Sequence, residues 1–300
     1  MVALTFCLME NLYNSKNECM VAEREIMIEI LKSILFGIVQ GITEWLPISS
    51  TGHMIILNEF VTLNVTPEFW EMFKVVIQFG SILAVVLIFW GKLFPFDFKS
   101  KNKIRMDVMQ MWFKVVVGCI PAGLLVVFGL DEVCDAMFQN YLTVAIMLIL
   151  FGILFIVIEN RNKNVVSKIT DISQITYKTA FIIGIFQLIA AVFPGTSRSG
   201  STIVGALLLG VSRTVAAEFT FFLAVPTMLG ASLLKLLKFG FNFTGSELLI
   251  LLVGMIVAFV VSVVVIRFLM DYIKRHDFKA FGWYRIVLGI VVIAYFMFFA

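Results

Sequence analysis

The chain has 300 residues, of which 61% are hydrophobic and only 14% charged, with a formal net charge of +3 and a mean hydropathy of +1.01. That composition lies outside the range of soluble domains and is that of a membrane protein. The small net charge, with no basic patch interleaved with aromatics, excludes nucleic acid as the expected partner.

In chain order, residues 1–25 mix polar and apolar side chains and lack the basic flank, apolar core and small-residue cleavage site of a signal peptide. They read as an N-terminal extension to one integral membrane domain over 26–300, with Met20 and Met27 as later candidate starts. Clean apolar runs then cover Met72 to Trp90, Val115 to Leu130, Leu142 to Ile158, Leu248 to Ile266 and Ile286 to Ala300. Runs of this kind suit a hydrocarbon core of about 30 Å, which takes about 20 residues to cross. Two further stretches, Ile28 to Leu57 and Ala180 to Leu209, are interrupted by Gly, Pro, Ser, Thr, Gln and charged residues.

The connections differ in charge. Lys92, Lys99, Lys101, Lys103 and Arg105 share one; Arg161, Lys163 and Lys168 a second; Arg267, Lys274, Arg275 and Lys279 a third. All three are expected to face the cytoplasm. The connection around Asp131, Glu132 and Asp135 has no Lys or Arg, and that from Asn242 to Glu247 only the flanking Lys238. Both are expected outside. Cys7, Cys19, Cys119 and Cys134 show neither metal-ligand spacing nor a disulfide framework.

At an offset of 147 residues, Gly-Ile-Val-Gln (37–40) lies on Gly-Ile-Phe-Gln (184–187), Ile42 on Ile189, Pro47 on Pro194, Ser50 on Ser197, Glu71 on Glu218 and Ala84 on Ala231. One unit has been duplicated, giving halves of approximately 26–135 and 175–300. Matched polar breaks in two halves of a membrane protein point to an inverted repeat of discontinuous helices whose ends meet near the midplane. Broken backbone at that depth has to be satisfied by protein or by a water-filled cavity.

The first break runs from Gln40 to His53. Gln40 and Glu44 are four apart, on one helix face, and a carboxylate at membrane depth is presumed functional, with a cation or an arginine as its partner. Beyond the helix-ending Pro47, Ser49, Ser50 and Thr51 supply hydroxyls; on their own these suit helix capping and interhelical hydrogen bonds. His53 is one of two histidines; alone it reads as a packing residue, but beside Glu44 and Ser50 it reads as functional. His276 reads as a solvated loop residue. The second break, Pro194-Gly-Thr-Ser-Arg-Ser-Gly-Ser-Thr202, leads into an apolar helix like an anion cradle. Arg198 supplies a planar donor for phosphate oxygens, or else an ion pair with Glu44 or Glu218 that only holds the bundle together. The Gly-Lys-Ser/Thr ending of a nucleotide P-loop is missing. Glu71 and Glu218, near helix starts, read as structural.

Gln40-x-x-x-Glu44, the run Leu46-Pro-Ile-Ser-Ser-Thr-Gly-His53 and Pro194-Gly-Thr-Ser-Arg-Ser-Gly200 together resemble the bacitracin-resistance family of undecaprenyl diphosphate phosphatases, from about Ile26 to the C-terminus. The resemblance implies an all-α polytopic inner-membrane protein built as an inverted-topology repeat, with about six spanning helices and two re-entrant helical hairpins. Its site would open to the outer face. It implies removal of the terminal phosphate of undecaprenyl diphosphate, recycling the carrier lipid for peptidoglycan synthesis and conferring bacitracin resistance, with a divalent cation, Mg2+ or Ca2+. Carried over by motif, Glu44 is the essential acid and metal ligand, Ser50 and His53 the catalytic pair, and Arg198 the diphosphate binder. Gln40, Thr51, Ser197 and Thr202 are weaker substrate contacts. The family has Glu or Gln at the position of Gln40, which here cannot ionise. Ser50 attack with His53 as base, His53 attack, and water activated by His53 all stay open, as does a homodimer. A lipid transporter or flippase is the rival reading, since broken-helix repeats suit alternating access; an intramembrane serine protease is a distant third, because Arg198 favours phosphate.

Overall fold

The computed structural model describes residues 2–97 and 104–298, with side chains other than those of 2–19, 21, 22 and 135. Lys99, Lys101 and Lys103, and the side chains of Cys7, Cys19 and Asp135, lie outside the described residues. The chain forms helices α1 (Val2–Thr43), α2 (Ser50–Phe60), α3 (Pro67–Ile88), α4 (Trp90–Leu93), α5 (Met106–Val127), α6 (Leu130–Phe138), α7 (Tyr141–Asn162), α8 (Tyr177–Val192), α9 (Arg198–Leu208), α10 (Arg213–Phe239), α11 (Gly245–Tyr272) and α12 (Lys279–Phe298). Starts follow capping chemistry: Thr66, Asn140, Thr176, Ser212 and Thr244 each accept a backbone N–H from the first turn.

Seven described helices are long and apolar enough to cross a membrane: Glu23–Thr43 within α1, and α3, α5, α7, α10, α11 and α12. The outward faces of the spans carry apolar side chains every three or four residues, as in Ile146, Leu150, Ile153 and Val157 of α7 or Val260 and Val264 of α11, which is the face a lipid solvent requires. The protein is therefore a multi-pass membrane protein of the all-α class. Helix α10 is a span that no clean apolar run announces, because Glu218, Pro226 and Lys235 interrupt it. Helices α2 and α9 have eleven residues each, about 16 Å, half the length a crossing needs.

Helix pairing is matched between the halves. Helix α1 packs on α11 as α8 packs on α5, α3 on α11 as α10 on α5, while α3 pairs with α10 and α7 with α12. The match extends to single residues. A Cβ on Gly37 would come within 2.7 Å of the Gly254 carbonyl oxygen, and one on Gly184 would collide with the Gly118 carbonyl. Each first hairpin arm thus lies backbone to backbone on its neighbour, an approach only glycine permits.

The basic connections gather at one end of the bundle. The segments around Asn162–Lys168, Leu207–Thr214 and Ile273–Lys274 share one surface cleft, Lys92 pairs with Glu218 near the start of α10, and Lys114 donates to the Ser173 carbonyl. There Glu159 accepts three hydrogen bonds from Arg213 and, through Oε1, one from the Phe278 backbone. At the opposite end Lys238 pairs with Glu132, and residues 25–29, 64–66 and 244–250 line a cleft of about 440 Å³.

Candidate active site

Both breaks end in the same device. Ser49 (φ 75°) and Ser197 (φ 67°) are the two non-glycine residues with positive φ among the described residues. Each caps the following helix through its hydroxyl oxygen, Ser49 accepting from the Gly52 N–H and Ser197 from that of Gly200. Such backbone is disfavoured for serine by about 1–3 kcal/mol and is held only where its surroundings dictate it. The caps revise one repeat pairing. Ser197 is the counterpart of Ser49, not of Ser50, because the second break carries one more residue, Gly195, at φ +89°. Arg198 then stands where Ser50 stands in the first half, and the helix starts bring these two different groups to one point.

That point is Glu44. Its Oε2 accepts hydrogen bonds from Gln40 Nε2 at 2.9 Å and Ser50 Oγ at 2.8 Å, while its Oε1 takes Arg198 Nη2 at 2.7 Å. The Glu44 side chain is 7% exposed and that of Arg198 17%, so the ion pair is sheltered from bulk water. Of the two partners the sequence offered to Arg198, the structure selects Glu44; Glu218 is held by Lys92 instead. The guanidinium also lies 5.9 Å from the centre of the Trp45 ring and contacts Met228 Sδ. Ser199 Oγ donates to the Glu44 carbonyl and meets Ser197 Oγ, stitching the second break to the first.

His53 is placed differently from the expectation. Its Nδ1 is 2.7 Å from the Ser49 carbonyl oxygen and its Nε2 is 2.7 Å from the Tyr284 hydroxyl, with the rings stacked. Ser50, at the first position of α2, is turned back to Glu44, and its hydroxyl has no hydrogen bond to His53. In this geometry Ser50 is paired with Glu44 and His53 with Tyr284. Thr51 is exposed. Thr202 is fully buried, with its hydroxyl engaged by the Arg198 and Ser199 carbonyls and by Thr220 Oγ1, so it braces α9 against α10 rather than facing the site. Glu71 pairs with Lys74 at the surface, and His276 stacks on Tyr272 in the basic connection, as expected of both.

Arg285 of α12 escaped the sequence reading. It is fully buried and donates through Nη1 to the Pro47 carbonyl at 3.1 Å and through Nη2 to those of Gly195 and Thr196 at 3.0 and 2.8 Å, with longer contacts to Met147 and Leu148. One planar fork thus serves carbonyl oxygens of both breaks, groups that otherwise lack a donor at this depth.

The fold and site together define a polytopic membrane protein in which two broken helical hairpins bring a carboxylate, a serine hydroxyl and an arginine into one sheltered cluster. The chain belongs to the bacitracin resistance protein family, whose description, Bacitracin resistance protein BacA, matches residues 33–291. It is 67% identical over 272 residues to an undecaprenyl-diphosphatase of Desulfitobacterium hafniense, covering 90% of this chain and 97% of that one. It is also 64% identical over 270 residues to undecaprenyl-diphosphatase 1 of Clostridium acetobutylicum, covering 90% and 98%. A third relative, an undecaprenyl-diphosphatase of Enterococcus faecalis, is 62% identical over 268 residues, covering 89% and 96%.

Proposed function

We propose that this protein is an undecaprenyl-diphosphatase that cleaves the terminal phosphate from undecaprenyl diphosphate, recycling the carrier lipid for wall synthesis and so conferring bacitracin resistance. The observation that carries the reading is Glu44 bridging the Ser50 hydroxyl and the Arg198 guanidinium. A nucleophile, a proton acceptor and a phosphate-binding cation stand together, at the meeting of two polar breaks in an apolar molecule. A lipid carrier has no need of the serine and carboxylate pair, and the names of the relatives favour hydrolysis over transport.

In the chemistry we favour, Arg198 offers its unpartnered Nη1 to the diphosphate oxygens and balances charge on the transferring phosphoryl group. Ser50 Oγ attacks the terminal phosphorus as its proton passes to Glu44; the bond from that phosphorus to the bridging oxygen breaks, and undecaprenyl phosphate leaves with the electron pair. Glu44 hands that proton to the departing undecaprenyl phosphate; water then attacks the phosphoserine as the freed Glu44 carboxylate takes its proton, and Glu44 passes it to Ser50 Oγ as inorganic phosphate leaves. Arg285 positions both loops, Gln40 orients Glu44, and His53 with Tyr284 borders the site. Positioning and charge supply most of the catalysis.

Glu44 with the Ser50 hydroxyl suits a divalent cation that takes its remaining ligands from substrate phosphates and water, as Mg2+ does. Among the described residues no three acidic, histidine or cysteine side chains form a complete cage. Such an ion would neutralise phosphoryl oxygens. The basic end of the bundle is assigned to the cytoplasm of a bacterial inner membrane, the halves to inverted topology, and the site to the outer face. Both breaks come from one chain, so a homodimer is not needed to complete it.

The test is phosphate release from undecaprenyl diphosphate by purified protein in detergent, with and without chelator, beside Glu44→Gln and Arg198→Ala. Release that needs both residues and is lost to chelator supports the reading. A well-folded wild-type protein that releases no phosphate would overturn it.

A further inference from the structure

Gln187 is the repeat counterpart of Gln40, at the same offset of 147 residues and three residues beyond the glycine seam in each half. In the first half the amide has a partner one turn on, Glu44. In the second half that position is Ala191. The consequence is visible in the structure. Gln187 is 2% exposed, and neither its Nε2 nor its Oε1 has a hydrogen-bond partner. Among the described residues, the one neighbour that engages the amide is the Cys119 thiol of α5, as a weak hydrogen-bonding contact. Its own contact is with the Leu223 carbonyl at 4.0 Å, and a thiol is too weak a partner to satisfy a carboxamide.

A second orphan belongs to the site itself. Arg198 presents Nη2 to Glu44, but its Nη1 is buried without a partner. The indole Nε1 of Trp45, on the ring lying against that guanidinium, is likewise unpartnered. Buried donors left unmade are costly, so a group of them in a natural fold points to a ligand. Here the balance is specific. Arg198 Nη1, Gln187 Nε2 and Trp45 Nε1 offer five N–H donors, whereas Gln187 Oε1 is the lone acceptor. Several donors with one acceptor match a phosphoryl group carrying one P–OH.

We propose that Gln187 is a phosphate-binding residue of this site, its amide and Arg198 Nη1 together forming a subsite for a phosphoryl group on the α5–α8 side of the guanidinium. The proposal rests on the phosphatase reading and adds to it where the cleaved phosphoryl group is held. Two sources share that chemistry: the terminal phosphate of the bound lipid, and the inorganic phosphate released from it. Duplication explains how the site became unequal. One copy has a carboxylate beside its glutamine, Glu44, and is the attacking side; the other has Ala191 there and an amide free for an anion.

The experiment is steady-state hydrolysis of undecaprenyl diphosphate by full-length Gln187→Leu and Gln187→Glu, with inorganic phosphate as the inhibitor and thermal unfolding measured alongside. The leucine variant is expected to weaken phosphate inhibition about tenfold. A matching rise in KM assigns the subsite to the lipid's terminal phosphate, and an unchanged KM to the released product. The glutamate variant keeps the shape but repels an anion, so it should weaken inhibition further. If Gln187→Leu raises the unfolding temperature and leaves both the phosphate inhibition constant and KM as in wild type, the amide is only an internal defect and the proposal fails. Should the leucine variant not fold, wild-type phosphate inhibition in Gln187→Glu overturns the proposal equally. Failure of wild type to release phosphate would instead sink the phosphatase reading.

Discussion

Arg285→Lys is the substitution that most directly tests how the site is held. Lysine keeps the charge but replaces a fork with one nitrogen on a flexible stem. In the wild-type protein Nη1 holds Pro47 of the first break while Nη2 holds Gly195 and Thr196 of the second. A single ammonium can follow one break only, leaving at least one buried carbonyl without a donor at about 1–3 kcal/mol. The larger effect is expected on rate. The meeting of Ser50, Glu44 and Arg198 depends on the relative placement of the two loops, and a 1 Å misplacement of reacting groups costs on the order of 100-fold. Phosphate release and thermal unfolding, measured on the same detergent-purified sample, should show kcat down about 100-fold with a drop of a few degrees in Tm. A lysine variant with wild-type kcat and Tm would show that the fork does not set the loop register, and the assignment of Arg285 as a positioning residue would have to be dropped.

Ser50→Ala should abolish turnover, and a rapid acid quench of wild-type protein with radiolabelled substrate should leave label on Ser50; turnover near wild type in the alanine variant would remove the serine from the mechanism. Thr202→Val loses the bond to Thr220 and should lower stability by about 0.5–1.5 kcal/mol while kcat/KM stays within about twofold, because the hydroxyl faces α10 and not the site. Gly37→Ala forces a methyl group onto the Gly254 carbonyl and should destabilise by about 1–3 kcal/mol, read as a lower unfolding temperature. Glu71→Gln, at a surface pair, should change neither activity nor stability measurably.

What the sequence disclosed follows from the solvent. In an apolar setting each polar residue is conspicuous, so Gln40, Glu44, Ser50 and Arg198 stand out, and the structure brings them together. The residues that do not stand out are disguised by position. Arg285 borders the run from Ile286 and follows a stretch of basic loop residues, so it resembles a flanking charge; only its place two turns inside α12, past Lys279, hints at burial. Tyr284 resembles an interfacial aromatic. The spacing of Ser50 and His53 suggests a contact along one helix face, but the local geometry separates them. Ser50 begins the helix and is drawn back to Glu44, whereas His53 reaches the capping carbonyl. The extra residue at Gly195 is also hidden, since an alignment anchored on Gly184 and Pro194 passes over a one-residue slip.

The glycine seams at Gly37 and Gly184 make each hairpin a cantilever, clamped at its base against a neighbouring helix and carrying its reactive tip some distance away. Precision at the tips therefore depends on contacts two turns of helix back from the reacting groups. In a screen for loss of bacitracin resistance, lesions at those clamps should be hard to tell from lesions in the chemistry, and a map of sensitive positions would trace two supporting beams as well as the pocket they hold.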